Sequence, residues 1–67
     1  MPDMKDIGAR LRALRGNLAR KTVADICGIS VSALAMYENG ERIPRDEVKI
    51  KLAKLYGKTV GSLFFTK

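Results

Sequence analysis

Residues Arg20 to Pro44 read RKTVADICGISVSALAMYENGERIP, and the fold is decided within them. Ala24 stands four residues before Gly28, and Leu34 stands four residues after Ser30. Gly28 follows Cys27 where a helix ends most cheaply in the left-handed region, which glycine enters without a Cβ penalty. Ser30 is suited to cap the next helix, because its hydroxyl can accept a bond from a free backbone N–H one turn ahead. Asn39-Gly40 then stops that helix, and Pro44 keeps the following segment out of helical geometry. The spacing predicts two short helices, the second spanning 31–38, held at a steep angle by a three- or four-residue turn.

The neighbouring segments supply a core for this pair. From Asp3 to Arg15, Ile7, Leu11 and Leu14 recur on one helical face while Arg10, Arg12 and Arg15 fall largely elsewhere. Asp3 is suited to cap this first helix, and Gly16-Asn17 breaks it. The second helix is predicted from about Leu18 to Cys27, with Asn17 as its cap and Val23, Ala24 and Cys27 facing inward. Leu34 and Tyr37 turn the third helix to the core. Asp46 and Glu47 favour a fourth helix start at the positive end of its dipole. That helix is predicted over Asp46 to Tyr56, with Val48, Leu52 and Leu55 buried, Ala53 and Tyr56 at the margin, and Lys49, Lys51 and Lys54 solvated. Gly57 ends it, Thr59 caps a last short turn, and Leu63-Phe64-Phe65 follow.

The chain is 67 residues long and is read as one all-α domain over 1–67. A chain this short hides only about 60% of the surface it exposes unfolded, so packing must be economical. Thirteen Lys and Arg against seven Asp and Glu give a formal charge of +6. Such an excess favours a polyanion, nucleic acid before membrane surface. There is one cysteine and no histidine. No disulfide, metal site, catalytic acid/base pair or glycine-rich phosphate loop is therefore expected, nor any enzymatic activity or cofactor. Cys27 reads as a small core residue in a reducing cytoplasm. No membrane span, secretory leader or small-molecule-binding domain is expected.

Two helices joined by such a turn form a helix-turn-helix, here about residues 20–38, whose second helix enters a DNA major groove. With Leu34 inward, Val31, Ser32, Ala35 and Met36 point outward. Apolar side chains there can meet thymine methyl groups, and serine can bond to several base edges. The alternative is an apolar patch for protein contact. Arg20 and Lys21 open the helix that crosses the phosphate backbone in this motif, where free N–H groups already favour phosphate. Arg20 can grip a phosphate or reach a guanine edge.

A further set of residues lies in order along the chain: Ile7-Gly8, Leu11-Arg12-Ala13-Leu14-Arg15, Val23-Ala24, Gly28-Ile29-Ser30, Leu34, Tyr37-Glu38-Asn39-Gly40, Arg42, Pro44, Ala53, Gly57 and Leu63. Together they resemble the Xre/Cro/phage-repressor helix-turn-helix family. The resemblance implies a compact five-helix lambda-repressor-like domain, a homodimer on a two-fold symmetric double-stranded operator, and transcriptional repression. It also implies a partly buried ion pair between Arg15 and Glu38, and phosphate contacts from Asn39 and Arg42, with Ser30 at the start of the recognition helix. Arg45 is a weaker candidate on the same side. Two departures stand out. The turn after Arg15 is short, and Arg20 occupies a position where the family often carries glutamine.

The surplus of aromatics at the end of the chain points to Leu63, Phe64 and Phe65 as a dimer surface, with one or two rings expected in the core. Two other readings accompany the regulator: an antitoxin of a toxin–antitoxin pair, and a protein-interaction module that kept the fold with reduced DNA reading.

Overall fold

In a computed structural model, described over residues 3–66, five helical elements follow one another: α1 (Met4–Arg15), α2 (Arg20–Cys27), α3 (Val31–Glu38), α4 (Asp46–Leu55) and α5 (Gly61–Phe65), the last a single π-helical turn. No strand occurs among the described residues. The local signals explain most boundaries. Asp3 caps α1 by accepting from the Asp6 N–H at 2.8 Å. Ser30 caps α3 by accepting from the Ala33 N–H at 3.0 Å. Gly28 adopts φ +67°, and the Ile29 N–H reaches back to the Ala24 carbonyl at 2.9 Å. Thr59 accepts from the Ser62 N–H at 3.0 Å as the chain enters α5.

One start differs from the expected one. α2 begins at Arg20, and its N-cap is Ala19, with no side-chain cap. Asn17 is not the cap, because a local turn between Arg15 and Leu18 encloses it. The Leu18 N–H donates to the Arg15 carbonyl at 3.0 Å, and the Leu18 carbonyl accepts from Arg15 Nη1 at 2.7 Å. That pair closes a turn where further helix had been expected.

Every helix contributes to one core. Ile7 and Leu11 meet Val23, Cys27, Leu34, Tyr37, Val48, Leu52, Ala53, Leu63 and Phe64 there. α1 packs across α3 and α5, and α2 packs against α3 and α4. Gly8 sets how closely α1 approaches α3: a Cβ there would lie 2.4 Å from the Glu38 carbonyl oxygen and 2.7 Å from that of Tyr37. Backbone atoms cannot yield as a flexible side chain would.

Three burial expectations change. Ala53 is fully buried while Leu55 is only half-buried against the core. Lys49 is not solvated: its side chain is 12% exposed, and Nζ lies 4.9 Å from the Phe65 ring centroid and 5.7 Å from that of Phe64. Its stem covers apolar surface while the ammonium faces two ring faces and reaches Asp46 at 3.8 Å. Leu63 and Phe64 are core residues, at 2% and 1% exposure. They offer almost no area to the expected dimer surface, since the small core already needs both. Of the three, Phe65 alone is offered to solvent.

The hydroxyl of Tyr56 is buried with no partner among the described residues. Burial, with help from the nearby Glu38 charge, pushes its pKa up to about 12 from 10. The folded state thus holds the phenol proton more tightly than the unfolded chain. This contribution to stability is complete below about pH 10 and is lost as pH rises through about 12. Tyr56→Phe should therefore melt with a smaller fall in Tm than the parent between about pH 9 and about pH 11. Equal falls in the two proteins would show that Tyr56 ionisation is not linked to unfolding.

Candidate nucleic-acid interface

α3 is anchored on one side and open on the other. Leu34, Tyr37 and Glu38 bury its inner face. Val31 (44% exposed), Ser32 and Met36 (38% exposed) stand outward, and Ala35 is half-buried beside them. Four residues expected on one outward face are thus brought together, with Ala35 contributing least area. Ser30 is exposed, but its hydroxyl is engaged as the α3 cap. An eight-residue helix spans about 12 Å, enough to lie along one groove.

Cations border the start of α3, and the guanidinium of Arg20 meets its last residue, Glu38. Beside its start, the Gly28–Ser30 turn shares a cleft of about 330 Å³ with Arg42, Arg45 and Lys51, where Glu47 is the single acidic side chain. At its end, Asn39 is the C-cap, its N–H bonded to the Ala35 carbonyl at 2.9 Å and its side chain exposed. Arg42 is likewise exposed. Lys21 is highly exposed and bonds to Asp25 one turn along α2 at 2.9 Å. Surface pairs of this kind contribute little and exchange readily with other anions.

Beneath the face lies a charge cluster. Glu38, with 1% of its side chain exposed, accepts from Arg15 Nε at 2.7 Å and Arg15 Nη2 at 3.2 Å. The same carboxylate accepts from Arg20 Nε at 3.0 Å. The hydrogen bond to Glu38 raises the pKa of the Arg15 guanidinium. The sequence pointed to the Arg15–Glu38 pair through the family pattern. It did not show that Arg20 joins them, because nothing local couples position 20 to position 38. The only signal available was the arginine standing where the family often has glutamine.

α2 starts without a capping side chain and without an acidic residue in its first turn. The N–H groups of Arg20, Lys21 and Thr22 find no acceptor among the described residues. Free donors and a positive dipole end make such a terminus favourable to anions. No group of three His, Cys, Asp or Glu side chains able to hold a metal occurs among the described residues. No helix among them is long and apolar enough to cross a membrane.

This arrangement, an anchored helix with an open outer face flanked by cations, defines a helix-turn-helix domain. The helix-turn-helix family model matches residues 9–63, and the chain belongs to this Xre/lambda-repressor-like family. The family consists of DNA-binding regulators and is in general not enzymatic. A search of curated proteins finds no match.

Removing the Glu38 carboxylate strands Arg15, whose side chain is only 10% exposed. Glu38→Ala should cost about 3–5 kcal/mol in urea-induced unfolding. A loss below about 1 kcal/mol would show that the pair contributes no more than a surface ion pair.

Proposed function

We propose that this chain is a sequence-specific regulator of transcription that acts in the cytoplasm as a repressor, bound as a homodimer to a two-fold symmetric operator. The single observation that carries the reading is the open face of α3, held in place by three buried side chains and bordered at its start by Arg42, Arg45 and Lys51. In this reading α3 lies in the major groove, and Val31, Ala35 and Met36 meet thymine methyl groups while Ser32 bonds to a base edge. Ser30 sets the start of the helix close to the DNA. Arg20, Lys21, Asn39 and Arg42 hold the phosphate backbone and fix the register. Few of these groups make bidentate base contacts, so sequence-dependent DNA shape carries part of the selectivity.

The dimer surface is reduced to Phe65 and the apolar groove beside it. Met4, Ile7 and Ile43 line that groove with Phe64, Phe65 and the stem of Lys49. A two-fold axis through this face pairs the recognition helices about one DNA turn, or 34 Å, apart. A second reading, a protein-interaction module on the same fold, draws on Ile26 and Ile50, which are 58% and 57% exposed. Scattered surface apolar residues are normal, so this observation weighs less. An antitoxin would bind DNA through the same face, and a co-purifying small protein would distinguish it.

Selection from a random duplex pool at near-physiological salt should enrich a two-fold symmetric site. Met36→Glu should weaken binding to that site by more than about tenfold, since it turns a carboxylate toward the groove, and should change stability by less than about 0.5 kcal/mol. A pool with no enriched site, or a variant that binds as tightly as the parent in fluorescence anisotropy, would overturn base reading by α3.

A further inference from the structure

We infer that Glu38 is a positioning residue for DNA binding: it holds Arg20 by Nε, so that the two terminal nitrogens of Arg20 form a preset fork for one backbone phosphate. The inference rests on the DNA-binding reading above and defines one contact within it.

The two arginines on Glu38 are used differently. Arg15 is engaged at all three nitrogens: Nε and Nη2 bond to the carboxylate and Nη1 bonds to the Leu18 carbonyl. Its side chain is nearly buried. Arg20 spends only Nε on Glu38, at 3.0 Å. Its side chain is 37% exposed, and neither Nη1 nor Nη2 has an acceptor among the described residues. One carboxylate therefore faces two guanidiniums, and the uncompensated positive charge falls on the arginine that reaches solvent. The donor edge it presents has the fixed planar geometry that matches two phosphate oxygens.

The anchor also decides between phosphate and base. Glu38 is the last residue of α3. Val31, where α3 starts, lies seven residues earlier, about 10 Å along the axis. In this motif the recognition helix reads bases from its N-terminal part. Tied to Glu38, Arg20 is held at the opposite end, beside the uncapped start of α2, so its target is the backbone. Holding Nε in advance removes much of the rotamer entropy that a free arginine would lose on binding. A lysine cannot divide its single ammonium between Glu38 and a phosphate in this way.

The test uses the full chain and a short mixed-sequence duplex, with affinity measured by anisotropy across a salt series and folding checked by thermal melts. Arg20→Ala should bind about tenfold more weakly and lower the slope of log K against log salt by about 0.9, the loss of one phosphate contact. Arg20→Lys, which keeps the charge, should recover little of that loss. Glu38→Gln, where it folds, should show the same reduced slope, with no further reduction when Arg20→Ala is added. If Glu38→Gln does not fold, the lysine variant decides. Wild-type affinity for Arg20→Lys would overturn the inference, because Arg20 would then act as a plain charge. Wild-type affinity for Arg20→Ala would overturn it too, as would weaker binding with an unchanged slope, which would mark a contact other than phosphate. Failure of the parent chain to bind any duplex would instead remove the DNA-binding reading on which the inference stands.

Discussion

The carboxylate of Glu38 lies in the interior, and three helices depend on how it is met. Arg15 reaches it from α1, Arg20 reaches it from α2, and Glu38 itself ends α3. Isolated in the interior, the carboxylate would be costly; bonded by three N–H groups it becomes a joint with directional geometry. The same Arg15 head closes the α1–α2 turn by holding the Leu18 carbonyl. That contact places the start of α2, and with it the free N–H groups of Arg20 to Thr22. A pair that first reads as a structural detail thus ties α1 to the end of α3, where Arg20 is also held.

The apolar core supplies the rest of the constraint. Fully buried Leu11, Val23, Leu34, Leu52 and Phe64 come from five different elements, so no helix of this small domain is stabilised by its own sequence alone. Close backbone approach at Gly8 lets α1 lie on the end of α3, which brings Arg15 within reach of Glu38. Rigid anchoring of α3 leaves its opposite face free for a ligand, and a helix held this way loses little freedom on binding. The C-terminal turn follows the same economy: Leu63 and Phe64 go to the core, and Lys49 spreads its stem over what remains.

Signals that act within a few residues were legible in the sequence. Asp3 and Ser30 cap the helices they precede, Gly28 takes the left-handed turn, and Leu34 and Tyr37 face the core. The family pattern added Arg15 with Glu38, a contact across 23 residues that no local rule supplies. What could not be read depended on which of several competing partners a group takes, most of them distant in the chain. Asn17 has the chemistry of a cap, but Arg15 draws the Leu18 carbonyl into a turn first. Leu63, Phe64 and Phe65 are equally apolar on paper, and only the packing of α5 against α1 separates two core residues from one exposed ring. Arg20 was legible as a cation at the start of α2; its tether to Glu38 was not. At the candidate site, exposure along α3 followed from helical periodicity, because one buried stripe leaves the other face outward.

The most direct test of this account is a titration of the isotope-labelled chain with the selected duplex, followed by amide chemical shifts. The account predicts that the largest changes fall on Arg20 to Thr22 and on Val31 to Asn39, with Arg42 beside them. Changes confined to α5, or to the outer surfaces around Ile26 and Ile50, with α3 unmoved, would contradict it.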